Sequence, residues 1–528
     1  MFRILVSDKL GAAGLALLDA AEDATYDMKT GLSPDELKAI LPEYDALIIR
    51  SGTKATADII AAGDNLKVIG RAGIGVDNID IPAATRRGVI VMNTPTANSI
   101  ATAEQALALM LAASRHTAVA HNSLAQGEWR RSEFVGQELH GKTLGIVGFG
   151  NIGRLVATRA QAFGMDVLAF DPYVSEEVGR EMGVTLVDLD DLLAAADYIT
   201  LHTAATPETT GLINADAIAQ MKDGVIVVND ARGKLIDEEA LLAGLDSGKI
   251  KCAALDVYRS EPPKDNPLIG HPKVLHTPHL GASTVEAQTA VAEQIVEQVL
   301  DALRGTDFRN ALNMPYQTKG MDYNAIRPFM ALGEKLGKLH AGLALQPITQ
   351  LEVEVNGEAL EPLVKAIAAA ILKGFLADKH DGPINDINAP ALADEYGIAI
   401  AQTTGIRAID YPNLISCRAI WDGGERRLDG VLFGNEEPRI VRINRYKLEA
   451  KPDGTVLLML NKDVPGVIGQ IGTILAAYDV NIGEWRLGRD EPGGEALSVI
   501  NLDSQPPAAA IDALAKITAV TDIRVVTL

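Results

Sequence analysis

Three residues spread along the chain could together oxidise an alcohol: Arg232 in Asn229-Asp-Ala-Arg-Gly233, Glu261 in Ser260-Glu-Pro-Pro263 and His279 in Thr277-Pro-His-Leu-Gly281. Turning a hydroxyl into a ketone needs a base for the hydroxyl proton as the hydride departs. Histidine suits that task near neutral pH. A carboxylate on the other ring nitrogen, the part open to Glu261, fixes the tautomer and stabilises the imidazolium. A guanidinium, the part open to Arg232, can grip a substrate carboxylate and polarise its C2 oxygen. A single histidine after proline can equally be an ordinary loop residue, so the assignment rests on the ordered set of three.

That set lies behind a second signal. Gly148-Phe-Gly150-Asn-Ile-Gly153 has the G-x-G-x-x-G spacing. It follows the apolar run Leu144 to Val147 and precedes a helical stretch from Arg154 to Phe163, the context that a dinucleotide fingerprint requires. Gly148 permits a tight turn, Gly150 lets backbone approach a pyrophosphate, and Gly153 lets helix and strand pack closely. The helix N-terminus adds unpaired N–H groups and positive potential. Asp171 ends the next strand, Val167 to Phe170, where it can accept hydrogen bonds from a ribose diol and repel a 2′-phosphate. NAD is therefore expected over NADP.

The elements that position these groups are short apolar runs alternating with helical stretches. From the N-terminus to about residue 95 they form a first βα series. The turn-rich segment from Asn93 to Ser99 leads into a long helix that Ser99 could cap. A second series starts at Gly141, with strands recurring at Val167, Tyr198, Val225, Ala253 and Val274. Arg232, Glu261 and His279 each fall just past one of those strands, where functional groups of open α/β sheets gather. One long helix is expected from Gly281 to Leu303, returning to the first series and leaving a cleft between the two. From about Thr455 the pattern is βαββαβ, a ferredoxin-like unit.

These segments resemble the D-isomer-specific 2-hydroxyacid dehydrogenase family, in its long form with an extra middle domain and a C-terminal ACT domain. The carrying stretches are Gly70 to Asn78, Gly148 to Gly153, Val228 to Gly233, Ala254 to Pro262 and His279 to Thr284. The resemblance implies a Rossmann-type nucleotide-binding domain (97–283) inserted in a flavodoxin-like substrate domain (1–96 and 284–315). An α/β intervening domain (316–452) and an ACT domain (453–528) then follow. It implies Arg232, Glu261 and His279 as the catalytic set. Substrate contacts are implied for Gly73, Gly75 and Asn78, and cofactor contacts for Asn151, Ile152, Thr203, Ala231 and Asp256. Lys234 departs from the family pattern of Gly or Glu, and the sequence offers no account of it.

Choosing among hydroxy acids needs a phosphate site. Arg50 ends a strand of the first series and should face the cleft, where the resemblance places a phosphate-binding arginine. Arg130 and Arg131 are further candidates, one of them reaching in from a neighbouring subunit. The loop Asn461 to Gly469 resembles the effector loop of ACT domains, with Asp463 facing an amino group, Gly466 allowing close backbone approach and Asn481 adding a side-chain contact. The implied activity is oxidation of 3-phospho-D-glycerate with NAD, with L-serine as effector and a homotetramer as the assembly. A sibling enzyme acting on glyoxylate or hydroxypyruvate, and a dinucleotide-sensing corepressor, are the alternatives. In the middle segment Arg439, Arg442, Arg445 and Lys447 alternate with apolar residues, leaving open an anion site or a solvated strand face.

The formal net charge of −22 over 528 residues argues against nucleic acid, which needs a broad basic surface. Two distant cysteines, Cys252 and Cys417, give neither a disulfide framework nor metal-ligand spacing, and no apolar run is long enough for a bilayer. A reduced, cytoplasmic setting without metal or membrane is expected.

Overall fold

The computed structural model describes residues 1–317, 321–405, 411–434 and 436–528. Its first sheet has five parallel strands in the spatial order Ala24–Met28, Phe2–Val6, Ala46–Ile49, Val68–Arg71, Ile90–Met92. This is the flavodoxin-like order 2-1-3-4-5. The second sheet has seven parallel strands in the order Val274–His276, Ile250–Leu255, Val225–Asn229, Tyr198–Leu201, Thr143–Val147, Asp166–Phe170, Thr185–Leu186. Its order reverses beside Thr143–Val147, the switch point at which open α/β sheets bind ligands. Its central strands have no polar face: all of Tyr198–Leu201 and Val225–Asn229 is buried. Such unbroken apolar runs suit a sheet covered by helices on both sides.

Two helices cross between the sheets. Ser99–Ser114 packs on the second sheet. Ser99 does not cap it, contrary to expectation. The cap position is Asn98 without a side-chain bond, and the Ser99 hydroxyl sits inside the first turn, donating to the Pro95 carbonyl at 3.5 Å. The return helix begins at Val285, not Gly281, and runs to Arg304. Residues 280 and 281 are held elsewhere, their N–H groups donating to the Asp256 carboxylate at 2.8 Å each. Thr284 then caps the helix through Ala287 N–H at 3.1 Å, and Gly305 ends it in the left-handed region. Its buried stripe of Val291, Ile295, Val296, Val299 and Leu303 closes the first sheet's core.

The middle part is a six-stranded mixed sheet, ordered Ala399–Gly405, Gln350–Asn356, Leu414–Trp421, Gly424–Phe433, Glu437–Ile443, Tyr446–Ala450. Helices Tyr323–Gly342 and Val364–Leu376 share its core. The C-terminal unit is an antiparallel sheet in the order Ile482–Arg489, Glu495–Leu502, Thr455–Lys462, Val520–Thr527, with helices Val467–Ala477 and Ala508–Ala515 on one face. Its other face, including Val456, Leu458, Leu497, Val499 and Val526, belongs to the core of the middle part. Among the described residues, no helix is long and apolar enough to cross a membrane.

Candidate active site

The carboxyl ends of the two parallel sheets face one another across a cleft of about 1140 Å³. Arg50, Gly73, Gly75 and Asn78 reach it from the first sheet, and Ile152, Thr203, Ala231, Arg232, Glu261 and His279 from the second. The sequence therefore brought together groups more than two hundred residues apart.

His279 Nδ1 lies 2.6 Å from Glu261 Oε2, so the carboxylate selects the tautomer that leaves Nε2 free. Burial alone would raise the Glu261 carboxyl. The His279 hydrogen bond and charge, the Tyr258 N–H and the Arg232 charge outweigh it and hold the group below the ordinary glutamate range. The His279 backbone is in the left-handed region, φ 56°, which a non-glycine residue adopts only when its surroundings impose it. Asp256 imposes it. Its carbonyl accepts from His279 N–H at 2.8 Å, and its carboxylate takes Leu280 N–H, Gly281 N–H and the Thr277 hydroxyl. Asp256 is fully buried, with its carboxylate committed to that loop. Asp256 thus positions the loop that carries His279.

Arg232 is held by its neighbours. Asn229 accepts from Ala231 N–H at 3.1 Å and donates to the Arg232 carbonyl at 3.0 Å, closing the turn after its strand. The guanidinium spans the cleft to Asp77, with Nε 3.0 Å from Oδ2. A Cβ at Gly75 would meet that guanidinium, so any larger residue would push it aside. Asn78 uses its amide nitrogen to hold its own surroundings. It donates to the carbonyls of Arg50 and Thr53 at 2.7 and 2.6 Å and so fixes the loop that carries Arg50.

One cleft residue escaped the sequence reading. Arg71, inside the quoted Gly70 to Asn78 stretch, lines the cleft beneath the Gly73–Gly75 loop, and its Nε is buried without a hydrogen-bond partner. Burial, and then the charges of Arg232 and Arg50, push its pKa down to about 10, still cationic at neutral pH. Three guanidiniums therefore share one cleft. The signal was an arginine among motif glycines, and attention to the glycines hid it. Lys234 is an exposed residue on the cleft wall beside Arg232.

Behind this surface His202 and Asp230 face each other, Nδ1 3.5 Å from Oδ1, with both side chains fully buried. Burial lowers His202 to about 3, and burial with the nearby Asp256 charge raises the Asp230 carboxyl well above its ordinary range.

The glycine fingerprint has the geometry its spacing predicts. Gly148 takes φ 97° directly after the strand, and a Cβ there would meet the His202 carbonyl at 2.7 Å. A Cβ at Gly153 would strike the Gly148 carbonyl, whereas one at Gly150 would meet nothing within 4 Å. Asn151 and Ile152 open the helix Asn151–Ala162. Asp171 follows the adjacent strand, its Oδ2 accepting from Phe149 N–H at 2.9 Å and its Oδ1 from Tyr173 N–H at 2.9 Å. This open space at Gly150, a free helix N-terminus and a carboxylate at the next strand's end fit a dinucleotide.

Other expected residues lie apart. Arg131 is exposed in a short turn and does not line the cleft, while Arg130 pairs with Glu128 and Glu133. In the C-terminal unit Asp463 binds Arg489 at 2.8 Å and Gly493 N–H at 3.2 Å, and Asn481 donates to Asp503 at 2.6 Å. Gly466, φ 93°, stands at the start of helix Val467–Ala477. In the middle part Arg439 pairs with Glu437, Arg442 with Asp429, and Arg445 with Asp490 and Glu495.

Residues 107–281 match the D-isomer specific 2-hydroxyacid dehydrogenase, NAD binding domain. Residues 325–444 match the D-3-phosphoglycerate dehydrogenase intervening domain and residues 455–519 the ACT domain. The D-3-phosphoglycerate dehydrogenase of Synechocystis sp. is 42% identical over 99% of this chain and 94% of its own length. That of Methanocaldococcus jannaschii is 41% identical over the whole of both chains. The chain belongs to the D-3-phosphoglycerate dehydrogenase family. Among solved structures, D-lactate dehydrogenase from Aquifex aeolicus, complexed with NAD and lactic acid, superposes with a TM-score of 0.52 at 28% identity. The match covers 57% of this chain and 96% of that one. As a D-3-phosphoglycerate dehydrogenase family member, the chain is an NAD-dependent oxidoreductase acting on a CH–OH group. The intervening and ACT domains of the long form both match, and a small-molecule substrate and an ACT effector domain go with them.

Proposed function

We propose that the chain oxidises 3-phospho-D-glycerate to 3-phosphohydroxypyruvate with NAD, the first committed step of L-serine biosynthesis, under feedback from L-serine through the ACT domain. The observation that carries the substrate is the grouping of Arg50, Arg71 and Arg232 in one cleft beside His279. A phosphorylated hydroxy acid has two anionic ends, and a lone arginine would serve only one of them.

In this reading Arg232 grips the C1 carboxylate and polarises the C2 oxygen, while Arg50 and Arg71 take the phosphate. His279 Nε2 removes the C2 hydroxyl proton, and Glu261 stabilises the imidazolium through the 2.6 Å bond to Nδ1. Bound NAD supplies the acceptor for the C2 hydride. Gly148, Gly150, Asn151, Ile152 and Gly153 hold its pyrophosphate, Asp171 its ribose diol, and Thr203 and Ala231 line its path. Leaving the ACT residues Asp463 and Asn481 for an effector requires their present partners, Arg489 and Asp503, to rearrange or to join the site. The division into substrate, NAD-binding, intervening and ACT domains at the bounds given above belongs to this reading. So do a homotetramer, an Arg131 contact from a neighbouring subunit and a cytoplasmic location.

The test follows NADH absorbance with 3-phosphoglycerate and NAD, then repeats it with L-serine. Turnover suppressed by serine is the expected result. Turnover with D-lactate or glycolate but not with 3-phosphoglycerate would reject the substrate, and turnover indifferent to serine would reject the effector.

A further inference from the structure

A second cavity, of about 340 Å³, lies between the middle sheet and the helix-free face of the C-terminal sheet, far in sequence from every residue of the cleft. One wall is Trp421 and Ile443, the other Leu458, Leu460 and Leu497. Arg426 projects into this apolar lining and is itself only 8% exposed.

Arg426 is placed by the end of helix Tyr323–Gly342. Its Nη1 donates to the Leu343 carbonyl at 2.6 Å and its Nη2 to the His340 carbonyl at 2.6 Å. Its Nε donates to His340 Nδ1 at 3.4 Å, and His340 Nε2 in turn lies 3.1 Å from the Cys417 carbonyl. The ring is thus neutral, with its proton on Nε2. A guanidinium has five N–H donors, and three are spent here, leaving two. Capping carbonyls explains the donors but not the full charge. Among the described residues no carboxylate pairs with Arg426; the cation meets the helix C-terminus, with its partial negative charge, and the Trp421 ring, 5.8 Å from the guanidinium carbon. The other charged groups of the cavity are already matched, Glu425 by Arg418 at 3.6 Å and Asp522 by Arg524 at 3.2 Å. A buried, unpaired cation is costly unless an anion joins it. Burial lowers Arg426 only to about 10, so the charge persists at neutral pH.

We propose that this cavity is a ligand site for a small monocarboxylate bearing an apolar or aromatic body, its carboxylate seated on Arg426. The volume suits a compact molecule of that kind. The apolar walls disfavour L-serine and 3-phosphoglycerate, which have no apolar body to bury. The site is independent of the substrate assigned above. Because its two walls belong to different sheets, occupancy would fasten the C-terminal unit to the middle part.

The probe is phenylacetate, titrated into the full-length protein by calorimetry, with phenylacetamide as the same shape without charge. The expected result is saturable binding of the acid and about 10-fold or more weaker binding of the amide, the factor that one charge-assisted hydrogen bond supplies. Arg426→Gln should lose affinity by a similar factor while turnover at the distant cleft is retained. Leu497→Trp, which fills the cavity and keeps Arg426, should also abolish binding, and it stands in should Arg426→Gln fail to fold. Equal affinity for acid and amide, undiminished binding by either variant, or no saturable binding of phenylacetate overturns the proposal.

Discussion

At the scale of single residues, the His279–Glu261 pair and the arginines make separable predictions. His279→Ala should lower turnover about 10²- to 10⁴-fold, the usual contribution of a general acid–base group. NAD affinity should change little, because the ring is directed by Glu261 and not by the fingerprint. Near-normal turnover would remove His279 from the mechanism. Arg71→Met keeps the bulk and deletes the charge. It should raise KM for 3-phosphoglycerate by about 10- to 100-fold with little effect on KM for NAD, the range expected for one hydrogen bond to a charged group. An unchanged KM would make Arg71 a structural cation. That Arg232, Glu261 and His279 meet in one cleft was legible because their chemistry is complementary and each follows a strand. Arg71 was not, since nothing in a sequence says that a strand-end arginine turns inward beneath a glycine loop. The burial of Asp256 was equally hidden, because its four partners lie in a loop distant in sequence.

At the scale of elements, the fingerprint glycines divide into two kinds. Gly153→Ala drives a Cβ into the Gly148 carbonyl, so it should destabilise the strand–helix turn and lower the melting temperature. Gly150→Ala meets no protein atom within 4 Å. It should fold normally and lose NAD affinity, because the added methyl occupies space reserved for the pyrophosphate. Calorimetric titration with NAD, beside a thermal melt of each variant, separates the two. A Gly150→Ala protein that binds NAD as the parent does would show that the phosphates lie elsewhere. Strand positions were readable from apolar runs, and so was the βαββαβ order of the C-terminal unit. The errors fell at helix starts. Ser99 was a capping residue by type, but the turn before it put Asn98 in that position. The return helix starts late because Asp256, distant in sequence, captures the N–H groups of residues 280 and 281. Both outcomes depend on tertiary contacts that local pattern does not contain.

At the scale of the molecule, the regulatory half is bound to the catalytic half by packing and not by a free linker. Asn385 of the middle part donates to the Gly88 carbonyl of the first domain at 2.7 Å, and the C-terminal sheet shares the middle part's core. His340 sits at the centre of that shared structure, fully buried and pushed down to about 3 by burial first and the Arg426 charge second. Its folded pKa is depressed, so the unfolded chain binds the proton more readily. Stability is therefore complete above the unfolded value of about 6.5 and is lost as the pH falls from there toward 3. Between pH 7 and pH 5 the loss is about 2 kcal/mol for such a histidine. His202, also held neutral near 3, adds a similar loss in the NAD-binding domain, while Asp230, raised in its pKa, changes stability with the opposite sign. The decisive quantity is thus a difference between proteins. His340→Gln should melt with a shallower pH dependence than the parent between pH 7 and 5, whatever its stability at pH 7. Parallel melting-temperature curves over that range would mean that His340 gains its proton without unfolding the middle part, and that the buried contact with Arg426 yields at mild acidity.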